Sequence, residues 1–232
     1  MRNQFLLYLL LLTGFLPTAA QTQDIRSLLQ QVKAKYDRVS DYTADGRLKT
    51  NVLFIKAPVA RVKVYFRKPD QLKIRNEKGV SFIPKGSVNI NMNNVLGLQS
   101  YEALESGTET VNGTLCRVVR IFPLSESDAI TRATLYIDEK QLLVLKSVIS
   151  TRENGTYELL LQYRTWASWG LPDRVNLTFN TREYKLPKGI SIDYDNGAGN
   201  APEPKDKKGR VEIEYSGYRI NQGVPDAVFT GS

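Results

Sequence analysis

Histidine is absent from the 232 residues, and cysteine occurs once. The first absence removes Ser-His, Cys-His and His-ligated metal chemistry together. The second excludes an internal disulfide, so packing has to hold the fold. Cys116 lies in Thr114-Leu115-Cys116-Arg117-Val118-Val119, a strand pattern that predicts a packed thiol and not a nucleophile. No Gly-rich phosphate loop, nucleophile elbow or dinucleotide fingerprint is present. The carboxylate pairs Glu102/Glu105 and Glu126/Asp128 read as solvated surface charge. Asp193-Tyr194-Asp195-Asn196-Gly197 opens like a calcium loop, but its glycine falls one position early and Pro204 stands where the last carboxylate belongs. The expectation is a protein that is not an enzyme, with no catalytic residue, no cofactor and no metal.

Long apolar runs are scarce as well. The single one, Phe5 to Phe15, follows Arg2 and ends in Leu16-Pro17-Thr18-Ala19-Ala20. It is shorter than the roughly 20 residues a membrane span needs and reads as a secretory signal cleaved after Ala20. No cysteine adjoins that site for lipid attachment. Residues 21–232 are expected to form a single exported domain, soluble and monomeric.

What the chain does contain is one-sided strand pattern. Val62, Val64 and Phe66 alternate with Arg61, Lys63 and Arg67, and Leu72 and Ile74 with Lys73 and Arg75, around a Lys68-Pro69-Asp70 break. Period two describes antiparallel strands with one apolar face and one wet, cationic face. Pro69 cannot donate to a ladder and belongs in the turn. The net charge of +8 is spread along such strands, so it marks a solvated outer face and not a nucleic-acid site.

The pattern recurs. Tyr42 to Ile55 reads as a long strand and Val80 to Ile83 as a short one. Asn112-Gly113 and Asn154-Gly155 supply hairpin turns. Leu135 and Ile137, then Val175, Leu177 and Phe179, then Val211 and Ile213, extend the apolar face. One amphipathic helix precedes the strands, with Ile25, Leu28, Leu29, Val32 and Tyr36 at helical spacing. Residues 197–209 read as a Gly/Pro/Lys loop. The aromatics Tyr163, Trp166, Trp169 and Phe179 read as strand-end packing in preference to a carbohydrate platform. Between strands, Asn94 to Leu104 carries Val95, Leu96, Leu98, Tyr101 and Leu104. It reads equally as a short helix or an apolar loop, and its position makes it a lid.

In this order these features resemble the LolA-like family of periplasmic lipoprotein-sorting carriers. The resemblance is carried by Tyr36 with Tyr42-Thr43-Ala44-Asp45, by Val64 to Ile74, and by Glu109 to Val119. Gly170-Leu171-Pro172-Asp173-Arg174-Val175 and Asn221 to Phe229 add to it, so it spans nearly the whole mature chain. It implies an α+β, mostly antiparallel fold: one curved half-barrel sheet with helices over its concave apolar face. It further implies an apolar cavity lined by the twelve aliphatic and phenylalanine positions named above on strands, holding acyl chains of lipoproteins or phospholipids. An inner-membrane releasing complex and an outer-membrane acceptor would be the partners. Lys68 stands where the family's lid-latching arginine precedes the proline, keeping the charge but not the forked donor. The alternative is an envelope-stress sensor or interaction module on the same fold.

Overall fold

The N-terminal helix, α1 (Ile25–Asp37), forms where its sequence spaces apolar residues on one stripe: Leu28, Leu29, Val32 and Tyr36 are its buried residues. The computed structural model describes residues 24–52, 55–56, 59–78, 92–180 and 208–230. The segment read as a secretory signal, the strand expected at Val80–Ile83, the start of the Asn-rich stretch, the calcium-like run and the 197–207 part of the loop lie outside the described residues.

Eleven strands form one antiparallel sheet. They are β1 (Asp41–Val52), β2 (Ile55–Lys56), β3 (Ala60–Arg67), β4 (Gln71–Lys78), β5 (Tyr101–Val111), β6 (Thr114–Pro123), β7 (Ile130–Asp138), β8 (Leu143–Thr151), β9 (Gly155–Gln162), β10 (Arg174–Asn180) and β11 (Lys208–Ile220). Their spatial order is β4-β3-β1-β11-β10-β9-β8-β7-β6-β5, with β2 a short addition to β1. Among the described residues β4 and β5 are open edges, so the sheet is a half-barrel and not a closed one.

Curvature has local causes. Register shifts interrupt the β1/β11, β3/β4, β5/β6 and β7/β8 ladders, and each such irregularity bends and twists its strand. Hairpin turns fall where the sequence puts them. Asn112 and Gly113 take the positive φ angles of 49° and 82° that a two-residue turn demands, and Gly155 closes the β8–β9 turn at 74°. The cationic loop proves shorter than its composition indicates. Lys208 and Gly209 are already in β11, where Gly209 pairs with Phe179.

The alternation over β3 holds residue by residue: Ala60, Val62, Val64 and Phe66 face the core, while Arg61, Lys63, Tyr65 and Arg67 face out. Over the β5–β9 half, Val119, Ile121, Leu135, Ile137, Val144 and Ile149 pack solidly under α1. Arg117 shares the inward parity of Val119 yet is satisfied. Its Nε and Nη2 each donate to Glu105 at 3.0 Å, and Nη1 donates to Glu139 at 2.9 Å. Hydrogen bonding by Arg117 holds the Glu105 carboxyl below its ordinary range.

Among the described residues there are two further short α-helices, α2 (Met92–Leu96) beneath α1 and α3 (Ala227–Thr230) against β4. The Arg67 guanidinium bonds to the Val224 carbonyl and Asp226, and Arg75 donates to the Val228 carbonyl at 2.9 Å. No helix among the described residues is long and apolar enough to cross a membrane.

Candidate functional site

Among the described residues, the concave face holds an apolar hollow over one half of the sheet. Between α1, α2 and the β4–β3–β1–β11–β10–β9 half lies an apolar slot of about 140 Å³. Its walls are Leu72 and Ile74 from β4, Leu159 and Leu161 from β9, Val175 and Leu177 from β10, and Val211 and Ile213 from β11. Tyr36, Met92 and the Gly170-Leu171-Pro172 loop close it. Among the described residues no charged side chain lines it.

Of the twelve positions read from the sequence, the structure brings six to this slot: Leu72, Ile74, Val175, Leu177, Val211 and Ile213. Val62, Val64, Phe66, Leu135, Ile137 and Phe179 are instead fully packed. The face is therefore continuous in sequence pattern but divided in space. Phe66 stacks on Tyr42 at 5.2 Å, and Phe179 tilts against Tyr157 at 6.2 Å.

The segment expected as a lid also divides. Val95 and Leu96 are buried on α2, and Leu98 packs against the same core. The helix stops at Gly97, whose N–H bonds back to the Asn93 carbonyl at 2.8 Å. From Tyr101 the chain is edge strand, so a lid reaching Leu104 is corrected: Tyr101 leans on the core, whereas Leu104 is 56% exposed. Strand parity explains this, because Tyr101 and Leu104 three residues apart must face opposite sides.

On its far side α2 borders an open, polar groove of about 570 Å³, walled by Pro69 and Asp70 of the β3–β4 turn and by Arg152 to Asn154 of the β8–β9 turn. Asn93 touches both this groove and the slot, so one short helix partitions them. Lys68 does not reach across to α2. Its ammonium donates to the carboxylate and carbonyl of Asp37, at the end of α1. A lysine, with one charge centre, satisfies one helix end where a guanidinium fork could bridge two elements.

The sequence pattern named Tyr36, Tyr42 and Tyr163 but did not place them, or Tyr218, at a cavity. Tyr36 and Tyr163 hydroxyls meet at 2.8 Å, and Tyr163 donates onward to the Val144 carbonyl at 3.1 Å. Burial pushes the Tyr36 hydroxyl up to about 12, its two hydrogen-bonded neighbours moderating the shift. Tyr218 donates to the Pro172 carbonyl at 2.7 Å and carries Trp166 edge-on at 4.9 Å. The other tryptophan, Trp169, stacks under the Arg38 guanidinium at 5.0 Å, so both indoles are packing groups. Cys116 is buried, and desolvation raises its thiol to about 11, leaving it unreactive at neutral pH.

No protein-family model matches the chain, and no curated protein matches it either. Solved structures do. A domain assigned to outer-membrane lipoprotein sorting, from Vibrio parahaemolyticus, superposes with a TM-score of 0.56 at 11% identity, over 88% of this chain and 94% of that one. A LolA superfamily protein from Nitrosomonas europaea gives 0.55 at 11% identity, over 87% and 97%. A DUF1329 family protein from Desulfovibrio piger gives 0.53 at 14%, over 90% and 98%. Over nearly the full length of both chains, these likenesses show the fold: the chain has the LolA-like fold.

Proposed function

We propose that this protein is an exported, periplasmic carrier that shelters acyl chains of lipids or lipoproteins and passes them toward the outer membrane without covalent chemistry. The observation that carries this reading is the partition by α2. An uncharged apolar slot lies on one side, a wide open groove on the other, and only a five-residue helix between them. At about 140 Å³ the slot matches an engineered cavity that holds one benzene, far short of a long acyl chain. Loading therefore requires Met92, Val95 and Leu96 to move aside, which gives the carrier a closed and an open state. Burial at about 0.8 kcal/mol per methylene favours the open, loaded state, and reinsertion of α2 favours release. Family likeness supports the direction of transport, with a releasing complex and an acceptor as partners.

Gentle purification of the exported protein, organic extraction and mass spectrometry test the reading. Stoichiometric phospholipid or acylated peptide is the expected result. A ligand-free protein that also fails to take up a hydrophobic fluorescent probe overturns it, and the sensor module then becomes the better account.

A further inference from the structure

Four tyrosines line the slot, Tyr36, Tyr42, Tyr215 and Tyr218. The protein spends the hydroxyls of two on itself: Tyr36 on Tyr163, and Tyr218 on the Pro172 carbonyl. Tyr42 and Tyr215 make no hydrogen bond among the described residues. Both side chains are only partly buried and line the slot, so these two hydroxyls stay available to a ligand that enters it.

Their placement is built in. Tyr42 is held by Phe66 stacked at 5.2 Å and by Tyr218 edge-on at 5.3 Å, and Tyr215 is held by Tyr218 at 5.0 Å. The register shift between Asp45 and Gly46 lets β11 turn both Tyr215 and Tyr218 to the concave side, although they are three residues apart. Opposite them β1 carries only Ala44 and Gly46, small residues that leave room for the rings. Tyr218 is itself anchored, so both free hydroxyls ride on fixed rings and are preorganised for a ligand.

We propose that Tyr42 and Tyr215 are the specificity-determining donors of this slot, and that they bind the neutral carbonyl of an acyl ester or amide. The inference rests on the acyl-carrier reading and names the ligand group that reading leaves open. Among the described residues the wall holds no cation, so a carboxylate or phosphate would lose its water there without compensation. Both hydroxyls stay protonated, because burial holds each well above the ordinary phenol range. Two O–H donors and no charge suit a carbonyl oxygen.

The test uses the mature chain, a hydrophobic fluorescent probe, and three competitors of equal chain length. These are a monoacylglycerol (ester), an N-acyl dipeptide (amide) and the matching alkyl glyceryl ether, which lacks the carbonyl. Wild type is expected to prefer a carbonyl competitor to the ether by about 5-fold or more, with each hydroxyl contributing about 2- to 10-fold. The Tyr42→Phe/Tyr215→Phe double variant keeps its affinity for probe and ether and loses the preference. Preference for the ester points to glycerolipid as the source, and preference for the amide to an acylated peptide. Equal affinity for carbonyl and ether ligands, or a preference that survives the double substitution, overturns the inference and leaves the carrier intact. Failure of all three to displace the probe overturns the carrier reading itself. Melting supplies a ligand-free check: the double variant should melt at or above wild type, and a lower melting temperature would mean the hydroxyls already serve the fold.

Discussion

The Lys68 ammonium lies 2.9 Å from Asp37 Oδ1 and 2.8 Å from the Asp37 carbonyl oxygen, so the β3–β4 turn grips the last turn of α1. A cation at a helix C-terminus also meets the negative end of the helix dipole. Both side chains are partly exposed, so Lys68→Met should cost no more than about 1 kcal/mol by denaturant unfolding. The pH dependence is more telling. Burial alone would raise the Asp37 carboxyl, but hydrogen bonds from Lys33 and Lys68 outweigh it and hold the group below its ordinary value of 3.8. This contribution is present above that value and fades as pH falls through the lowered one. Wild type should therefore lose stability between pH values near 4 and below more steeply than Lys68→Met, measured by urea midpoints across that range.

The Tyr36–Tyr163–Val144 chain has a direction. Tyr163 donates to Val144, so Tyr36 must donate to Tyr163. Tyr36→Phe leaves the Tyr163 bond to the Val144 carbonyl in place, whereas Tyr163→Phe removes the middle of the chain and strands the Tyr36 donor. Expected losses are about 1 kcal/mol for the first and about 2–3 kcal/mol for the second. Equal losses in chemical denaturation would show that the chain runs the other way.

Alkaline unfolding follows from the same buried phenols. Tyr36 is raised from 10.0 to about 12, chiefly by desolvation, and Tyr42, Tyr163, Tyr215 and Tyr218 are raised as well. The folded state binds these protons more tightly than the unfolded chain. Their contribution is complete below pH 10 and is lost as pH rises toward and past 12. Tyrosinate absorbance from these five phenols should thus appear only together with loss of structure by circular dichroism.

Ser147 makes the opposite case. Its hydroxyl is fully buried between Leu135 and Leu159 in the β7–β8–β9 ladders and has no partner. Replacing an unpaired buried hydroxyl by a methyl group removes a desolvation cost of about 1 kcal/mol or more. Ser147→Ala should raise the unfolding midpoint, and a clear decrease would mean the hydroxyl is bonded after all.

Most of the sheet was legible because each strand writes its own face. Val62, Val64 and Phe66 against Arg61, Lys63 and Arg67 suffice to orient β3, and Asn112-Gly113 fixes its hairpin unaided. The site was less legible, for three physical reasons. Which apolar positions line space and which fill it depends on long-range packing, and identical alternation serves Ile213 at the slot and Ile137 in solid core. Register shifts change parity, so Tyr218 reaches the slot wall although simple alternation from Val211 turns it outward. Leu159, Leu160 and Leu161 form an unbroken apolar run, and only pairing with β10 says which two face inward. The boundary at Gly209 was hidden similarly. A Cβ there would lie 2.4 Å from the Phe179 ring, a constraint that belongs to β10 and not to the loop composition.

Those distinctions decide where loading should be probed. A charge at Val64 or Phe66, buried to 0% and 1%, would test folding and not ligand uptake. The informative positions are on α2. Met92 lines the slot and Val95 lies wholly in the core beneath α1, so Met92→Ala and Val95→Ala each remove part of the plug while leaving the sheet ladders untouched. Each should cost about 1–4 kcal/mol of stability, because the cavity it leaves cannot fully collapse. If α2 gates the slot, both variants should take up a long-chain fluorescent fatty acyl probe faster and release it faster than wild type, the closed state having lost more than the open one. Uptake rates that fall with stability, or do not change, would place the gate elsewhere.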